Sequence, residues 1–153
     1  MLPDATASLE EDACGGMMAE SPLLKGLRLL LVEDETMVAM MVEDMLSDLG
    51  CVVVDVAGTV SRGLAFAGST DVQIDGAVLD VNLGGEVVYP VAEALIARGV
   101  PFIFSTGYSM DGIKAKYADV PILAKPYERD TLEEHLLLAL VPAAVRSQPK
   151  KLN

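Results

Sequence analysis

The chain has 153 residues, of which 52% are hydrophobic, so it can form one domain with a buried core and is not an intrinsically disordered protein. Its formal net charge is −12, from 23 acidic and 11 basic residues, which argues against nucleic-acid binding because that function requires a basic face. The apolar runs are too short to span a membrane, and residues 1–21 lack the basic start and apolar stretch of a secretory signal. We therefore expect a cytoplasmic protein, and its charge leaves a basic protein partner open.

The predicted domain occupies residues 26–141, between two flexible tails. Residues 1–25 are rich in Asp, Glu, Ala, Gly and Ser and show no periodicity, and residues 142–153 hold two prolines and two lysines. Cys14 and Cys51 have neither metal-binding nor redox spacing. This favours two free thiols in a reducing compartment over a redox switch.

Apolar strands alternate with helical patterns from the start of this domain. The first strand is predicted over about Leu27–Val32. The helix that follows is indicated by one apolar face at helical spacing, made by Val38, Met41, Val42, Met45, Leu46 and Leu49. Gly50 is a plausible end for this helix. A second strand over Val52–Val56 precedes a weaker helix near Val60–Ala67, which contains Gly63.

The same alternation continues through the second half of the domain. Strands are predicted at Ala77–Leu79, Phe102–Ser105 and Ile122–Ala124. Helices are predicted at Val88–Arg98, at Asp111–Ala118 with poor amphipathicity, and around Leu132, Leu136, Leu137 and Leu140. Pro90 falls in the first turn of its helix, where its missing N–H costs little, and Gly99 would end that helix. Five strands that alternate with five helices predict an α/β fold with a parallel sheet covered on both faces.

Polar residues stand at the ends of four predicted strands. They are Glu33-Asp34, Asp80, Thr106 and Lys125. A parallel sheet brings the carboxyl ends of its strands to one edge, where sites of open α/β sheets lie. That edge would hold three carboxylates, a hydroxyl and an ammonium, which suits a divalent metal and a phosphoryl group.

Mg²⁺ prefers oxygen ligands and keeps several waters. Asp34 and Asp80 could ligate it directly, Glu33 could hold a metal-bound water, and the backbone carbonyl of Asn82 is a further candidate. The metal would relieve the repulsion among the carboxylates and leave Asp80 usable as a nucleophile that forms an acyl phosphate.

The phosphoryl oxygens then need positioned donors. Lys125 supplies a positive charge and Thr106 a hydroxyl. Taken singly, each polar position has an ordinary structural interpretation: a solvated turn lysine, a turn threonine, a helix-capping aspartate, or a solvated acidic loop. Their occurrence together at successive odd strand ends favours the functional interpretation. His135, alone on the last helix, is interpreted as a solvated residue.

These residues resemble the receiver domain of two-component response regulators. The resemblance covers about Leu27–Leu140 and rests on Leu31–Glu35, Leu79–Leu83, Ser105–Gly107 and Lys125-Pro126. It implies a flavodoxin-like (βα)5 doubly wound parallel sheet with strand order 2-1-3-4-5. It also implies that the Lys125-Pro126 peptide bond is cis, as is often found in this family.

The resemblance assigns a role to each site residue. Asp80 would be phosphorylated by a histidine kinase or a small phosphodonor, and Thr106 and Lys125 would sense the phosphoryl group. Mg²⁺ would be held by Glu33, Asp34, Asp80 and the Asn82 carbonyl. The residues two positions after Asp80 and Thr106, here Asn82 and Tyr108, influence hydrolysis of the acyl phosphate in receivers, and the bulky Tyr108 is expected to slow it.

Two stretches look like a narrower subgroup of stand-alone alphaproteobacterial receivers. They are Asn82–Ala92 and Phe104–Tyr108, the second matching a Phe-Ala-Thr-Gly motif with Ser105 in place of alanine. Members of that subgroup are often partnered with histidine kinases of the HWE class. We accordingly expect a bacterial histidine kinase of the HWE class as the partner. The sequence leaves open whether the protein also forms a homodimer.

Two departures from the general receiver pattern concern signal output. Ile122 stands where receivers carry an aromatic switch residue, so the usual coupling of that ring to Thr106 cannot operate. Gly84-Gly85 follows Asp80 where most receivers have proline, and glycines allow greater mobility there. We hypothesise that the segment from Gly107 to Tyr117 reorders on phosphorylation, with Tyr108 or Tyr127 as the moving aromatic.

The leading hypothesis is therefore a single-domain phosphoryl-accepting signalling protein. Only one helix and a short tail follow Lys125-Pro126, so output is expected through protein contacts or as a phosphate sink for a shared kinase. It would not be an enzyme beyond accepting and slowly losing its own phosphoryl group. An aspartyl phosphatase of the haloacid-dehalogenase type is a weaker alternative, because Asn82 replaces its general acid. A degenerate receiver that binds partners without phosphorylation is disfavoured by intact Asp34, Asp80, Thr106 and Lys125.

Overall fold

The structure is a computed structural model that describes residues 20–146. In chain order its strands are β1 (Arg28–Val32), β2 (Val52–Ala57), β3 (Gly76–Asp80), β4 (Asn82–Leu83), β5 (Glu86–Val87), β6 (Phe102–Thr106) and β7 (Ile122–Ala124). The helices are α1 (Thr36–Asp48), α2 (Val60–Ala67), α3 (Tyr89–Arg98), α4 (Asp111–Lys116), α5 (Arg129–Leu140) and α6 (Ala143–Arg146).

Five parallel strands form the main sheet in the order β2-β1-β3-β6-β7. Because β6 and β7 are the fourth and fifth strands of this sheet along the chain, the predicted order 2-1-3-4-5 is confirmed. β2 lies on one side of β1 at the edge of the sheet, and the next strand, β3, pairs with the opposite side of β1. The carboxyl ends of β1 and β3 therefore border the crevice where ligands of such sheets bind.

Helices cover both faces of the sheet. Alternate side chains of a strand therefore pack into two separate cores, one on each face. On β1, Leu30 and Val32 pack into the core beneath α2, α3 and α4, whereas Leu29 and Leu31 pack into the core beneath α1 and α5. Every residue of β3 and of β6 is buried. This two-sided burial explains why the strands read as continuous apolar runs rather than alternating ones.

A small antiparallel hairpin, β4–β5, was not predicted from the sequence. Gly84 and Gly85 form its tip with φ angles of 57° and 95°, and this pair of positive angles matches the favoured two-residue hairpin turn. The hairpin strands have two residues each, which is too short for a hydrophobic period to appear. The glycines thus build an ordered turn beside Asp80.

The ends of the domain differ in detail from the expected tails. Residues 20–25 were expected to be tail, yet Leu24 is fully buried and the Ser21 N–H donates to the Leu49 carbonyl at 3.0 Å. After Val141, the chain forms the short helix α6. The remaining tail residues, 1–19 with Cys14 and 147–153, lie outside the described part of the chain. Cys51 is described and is a buried free thiol.

Among residues 20–146, none of the helices combines the length and the apolar character that crossing a bilayer would require.

Candidate functional site

Three of the polar residues predicted from the strand ends, Asp34, Asp80 and Lys125, line one cavity at the carboxyl edge of the sheet. This cavity has a volume of about 420 Å³. Asp34 follows β1, Asp80 ends β3, and Lys125 follows β7, so three separate strands deliver the charged side chains. The cavity is lined by Asp34, Glu35, Asp80, Asn82, Gly84, Gly85, Gly107, Tyr108 and Lys125.

Three carboxylates form the acidic part of the site. Glu33, Asp34 and Asp80 each present an oxygen, and these atoms lie within 4.8 Å of one another. Glu33 and Asp80 are buried, at 4% and 5% exposure, whereas Asp34 is exposed. An all-oxygen donor set that is partly open to water fits Mg²⁺, which keeps several waters and takes one or two protein carboxylates.

The ammonium of Lys125 lies between two of these carboxylates. Its Nζ is 2.9 Å from Glu33 Oε1 and 3.1 Å from Asp80 Oδ2. The backbone N–H of Lys125 donates to the Thr106 carbonyl at 2.8 Å, which fixes β7 against β6 next to the site. The Lys125-Pro126 peptide bond is cis, as the resemblance implied.

The site contains more carboxylates than cationic side chains, with Glu33, Asp34 and Asp80 grouped around Lys125. Burial raises the pKa of Glu33, and the negative charge of Asp80 adds to this effect, against the hydrogen bonds from Lys125 and the Glu35 N–H. Burial disfavours the charge of Lys125, but its hydrogen bonds to Glu33 and Asp80 outweigh burial and raise its pKa. Lys125 is therefore firmly protonated, and one ammonium faces three carboxylates. A divalent cation would balance this set.

Thr106 is buried at the end of β6, beside this cavity rather than in its lining. Its Oγ1 accepts a hydrogen bond from the Tyr108 N–H at 3.0 Å. The hydroxyl is thus held in a local turn of the kind that serine and threonine commonly form.

Asn82 joins Asp80 to the hairpin. Its backbone N–H donates to Asp80 Oδ1 at 3.4 Å, and its side-chain Oδ1 accepts from the Gly85 N–H at 3.0 Å. The side chain therefore stabilises the hairpin turn. Sequence analysis did not foresee this contact, although an Asn three residues before a glycine is a common turn-forming arrangement.

The aromatic residues around the site have different environments. Tyr108 is 74% exposed at the cavity mouth. Tyr127 is half-buried, and burial, with the charges of Glu33 and Asp80, raises its pKa. Ile122 is half-buried and packs against the core beneath α2, α3 and α4.

Sequence analysis missed a further aromatic residue of the core, Tyr117, which directly follows α4 as its C-cap. Tyr117 is buried, and its ring centroid lies 5.2 Å from that of Phe104 and 5.1 Å from that of Tyr89. Its hydroxyl donates to Glu93 Oε2 at 2.6 Å. Tyr117 therefore lies in the same core as Ile122, together with Phe102 and Phe104. The sequence signal for this group of aromatic residues was the alternation of Phe102 and Phe104 along β6.

The fold agrees with comparisons to solved structures. The chain is 45% identical to SdrG from Sphingomonas melonis Fr1, with a TM-score of 0.65, over 74% of this chain and 95% of SdrG. It is 28% identical to the signal receiver domain of a modulated diguanylate cyclase from Desulfovibrio desulfuricans G20, with a TM-score of 0.66, over 76% of this chain and 94% of that one. The chain belongs to the response regulator receiver domains.

A more distant similarity involves a longer protein. The chain is 25% identical to the response regulator PhyR from Brucella abortus, with a TM-score of 0.66. The matched region covers 84% of this chain but only 52% of PhyR. The chain thus spans about half the length of that relative. No protein-family model matches the chain, and no curated protein does either.

Proposed function

We propose that this protein is a single-domain response regulator that accepts a phosphoryl group on Asp80 from a histidine kinase in a Mg²⁺-dependent reaction. The observation that carries this proposal is the environment of Asp80. Its carboxylate is buried in the cavity floor, 3.1 Å from the Lys125 ammonium and grouped with Glu33 and Asp34 within 4.8 Å. A carboxylate with a cationic neighbour and adjacent metal ligands is suited to attack on phosphorus.

Bond formation at Asp80 is simple to describe. A carboxylate oxygen of Asp80 forms a bond to phosphorus, the phosphorus–nitrogen bond of a phosphohistidine breaks, and the electron pair stays on the departing imidazole nitrogen. Mg²⁺, held by Glu33, Asp34, Asp80 and the Asn82 carbonyl, would supply charge neutralisation for the phosphoryl oxygens. Lys125 would move from Asp80 to a phosphoryl oxygen, and the Thr106 hydroxyl would turn from the Tyr108 N–H and donate a hydrogen bond to a second phosphoryl oxygen.

Output is proposed through contacts with another protein or by draining phosphoryl groups from a shared kinase. SdrG, to which the chain is similar, has been solved in a BeF3-activated conformation, and BeF3 has the shape of a phosphoryl group, which supports the proposed phosphoryl-accepting role. The partner kinase is proposed to be of the HWE class.

The decisive experiment labels the protein with acetyl phosphate and Mg²⁺ and compares wild type with Asp80→Asn by intact mass. Wild type is expected to gain one phosphoryl group, and the variant none, because its amide is not a nucleophile. Asp34→Asn serves as the matched control: it is expected to label at least tenfold more slowly and to reach the same single adduct. Equal labelling of Asp80→Asn and wild type would refute the assignment.

The route from the site to the surface is proposed to run through the segment from Gly107 to Tyr117. Thr106 Oγ1 is held by the Tyr108 N–H, so a threonine that turns to the phosphoryl group releases the start of this segment. Adding BeF3 and Mg²⁺ is expected to change amide hydrogen exchange in this segment by severalfold, and to leave β1 unchanged. If exchange in the segment stays the same, this route is wrong.

A further inference from the structure

Glu35 places a carboxylate at the phosphoacceptor cavity that does not serve its own helix. The residue is exposed and lines that cavity. It is the N-cap of α1, where side chains commonly accept first-turn N–H groups, yet its side chain makes no capping hydrogen bond. Its backbone is held in place, because its N–H donates to Glu33 Oε2 at 3.2 Å and its carbonyl accepts from the Ala39 N–H at 2.9 Å. Among residues 20–146, no cation forms an ion pair with the Glu35 carboxylate.

The charge of Glu35 is left over when the other charges of the site are balanced. The carboxylates grouped within 4.8 Å belong to Glu33, Asp34 and Asp80 and do not include Glu35. Lys125 contacts two of those three carboxylates, and a divalent cation would balance the rest. Among the described residues that line the cavity, Lys125 is the only cation. A phosphodonor that enters a metal-loaded cavity therefore meets one uncompensated negative charge, at Glu35.

This charge acts oppositely on two classes of phosphodonor. A phosphoimidazole reacts with a proton on its second ring nitrogen, so its ring is cationic before transfer. When an Asp80 oxygen bonds to phosphorus, the phosphorus–nitrogen bond breaks, the electron pair goes to the ring nitrogen, and neutral imidazole leaves. With acetyl phosphate the phosphorus–oxygen bond breaks, the pair stays on that oxygen, and acetate leaves as an anion. Charges interact more strongly in a partly enclosed site than in water, so Glu35 attracts the first leaving group and repels the second.

We propose that Glu35 is a specificity-determining residue that makes the site prefer phosphoimidazole donors to acyl phosphates. This inference rests on the proposed function and deepens it, since it names the chemical class of phosphodonor that the cavity selects. It concerns the reacting end of the phosphodonor and requires no contact between protein surfaces. The phosphoryl group is the same in both classes, so its own repulsion by Glu35 cancels when the two are compared, and the leaving group decides the preference.

The test measures the second-order rate constants for labelling of Asp80 by N-phosphoimidazole and by acetyl phosphate, each with Mg²⁺, and takes their ratio. A substitution that changes metal binding or the reactivity of Asp80 acts on both phosphodonors and leaves this ratio unchanged. Glu35→Gln is expected to lower the ratio about threefold and Glu35→Lys about tenfold, because the charge is removed in one and reversed in the other. Raising NaCl from about 50 mM to about 500 mM should bring the ratio of wild type towards that of Glu35→Gln.

Glu43→Gln is the matched control for this charge. Glu43 lies on the same helix but outside the lining of the cavity. The control variant therefore has the same net charge as Glu35→Gln and an unchanged cavity. Its ratio of the two rate constants is expected to equal that of wild type.

The outcomes separate this inference from the proposed function. If neither phosphodonor labels wild type on Asp80, the proposed function fails, and the inference fails with it. If Asp80 is labelled but Glu35→Gln and Glu35→Lys keep the wild-type ratio, only the inference is wrong. An equal fall of the ratio in Glu43→Gln would mean that the net charge of −12, rather than Glu35, selects the phosphodonor, and would also overturn the inference.

Discussion

At the scale of single residues, the site is organised around Lys125. Its ammonium contacts Glu33 and Asp80 at once, and Glu33 also accepts the Glu35 N–H through its other oxygen at 3.2 Å. Glu33 is therefore engaged by the protein on both oxygens, whereas Asp34 is exposed. We therefore propose that Asp34 and Asp80 bind the metal directly, and that Glu33 positions Lys125 and holds a metal-bound water.

The exposed ring of Tyr108 is expected to control how long the phosphoryl group persists. Tyr108 lines the cavity and is mostly exposed, so its ring would limit the approach of water to the proposed acyl phosphate on Asp80. Tyr108→Ala should lose its phosphoryl group severalfold faster than wild type in a dephosphorylation time course. Tyr108→Phe keeps the ring and is the control, with a lifetime close to that of wild type. Equal lifetimes of the alanine variant and wild type would contradict this role.

At the scale of elements, glycine sets the approach of α5 to the sheet. A Cβ at Gly76, the first residue of β3, would lie 2.5 Å from Cδ2 and 2.8 Å from Cγ of Leu140. Atoms this close must move apart, and overpacking of this kind costs about 1–3 kcal/mol. The last turn of α5 therefore packs directly on the backbone of β3, at the strand end opposite Asp80.

A double-mutant cycle at this contact tests the packing. Gly76→Ala is expected to lower the free energy of unfolding by roughly 1–3 kcal/mol, measured by urea denaturation. Leu140→Ala removes the side chain that the new methyl group would meet, so the double variant should be more stable than the sum of the two single effects predicts. Strictly additive effects would mean that Leu140 moves aside without cost. Acetyl phosphate labelling of each folded variant should match wild type.

At the scale of the whole molecule, repulsion among the negative charges of the site is expected to lower the stability of the folded protein. The chain carries a net charge of −12, and its site groups three carboxylates around one ammonium. Carboxylates held this close disfavour the folded state unless a cation accompanies them. A ligand that binds only the folded protein stabilises it by mass action.

Mg²⁺ is therefore expected to stabilise the protein against unfolding. At a concentration one hundred times the dissociation constant, binding adds about 2.7 kcal/mol to the free energy of unfolding. Urea denaturation with and without Mg²⁺, at ionic strength matched with NaCl, measures this gain. Most of it should disappear in Asp34→Asn, which removes one of the proposed metal ligands. An equal gain in the variant would mean that Mg²⁺ acts elsewhere on the acidic surface.

Much of the fold was predictable because two-sided burial leaves a strong imprint on a sequence. The apolar runs of β1, β3 and β6 are continuous since both sheet faces are covered, and α1 shows a clear helical period. The hairpin β4–β5 and the packed residues 20–25 left no comparable pattern. Their structure depends on contacts, such as that of Asn82 Oδ1 with the Gly85 N–H, rather than on periodicity.

The sequence by itself determined which residues meet at the site, because parallel strands deliver their carboxyl ends to one edge and Glu33, Asp34, Asp80 and Lys125 each follow or end such a strand. Only the tertiary structure decided how these residues are engaged. Lys125 binds Glu33 as well as Asp80, Thr106 is turned to the Tyr108 N–H, and Tyr117 shares its core with Ile122. Such contacts join residues far apart in the chain, and their side-chain directions follow from packing, which no local pattern records.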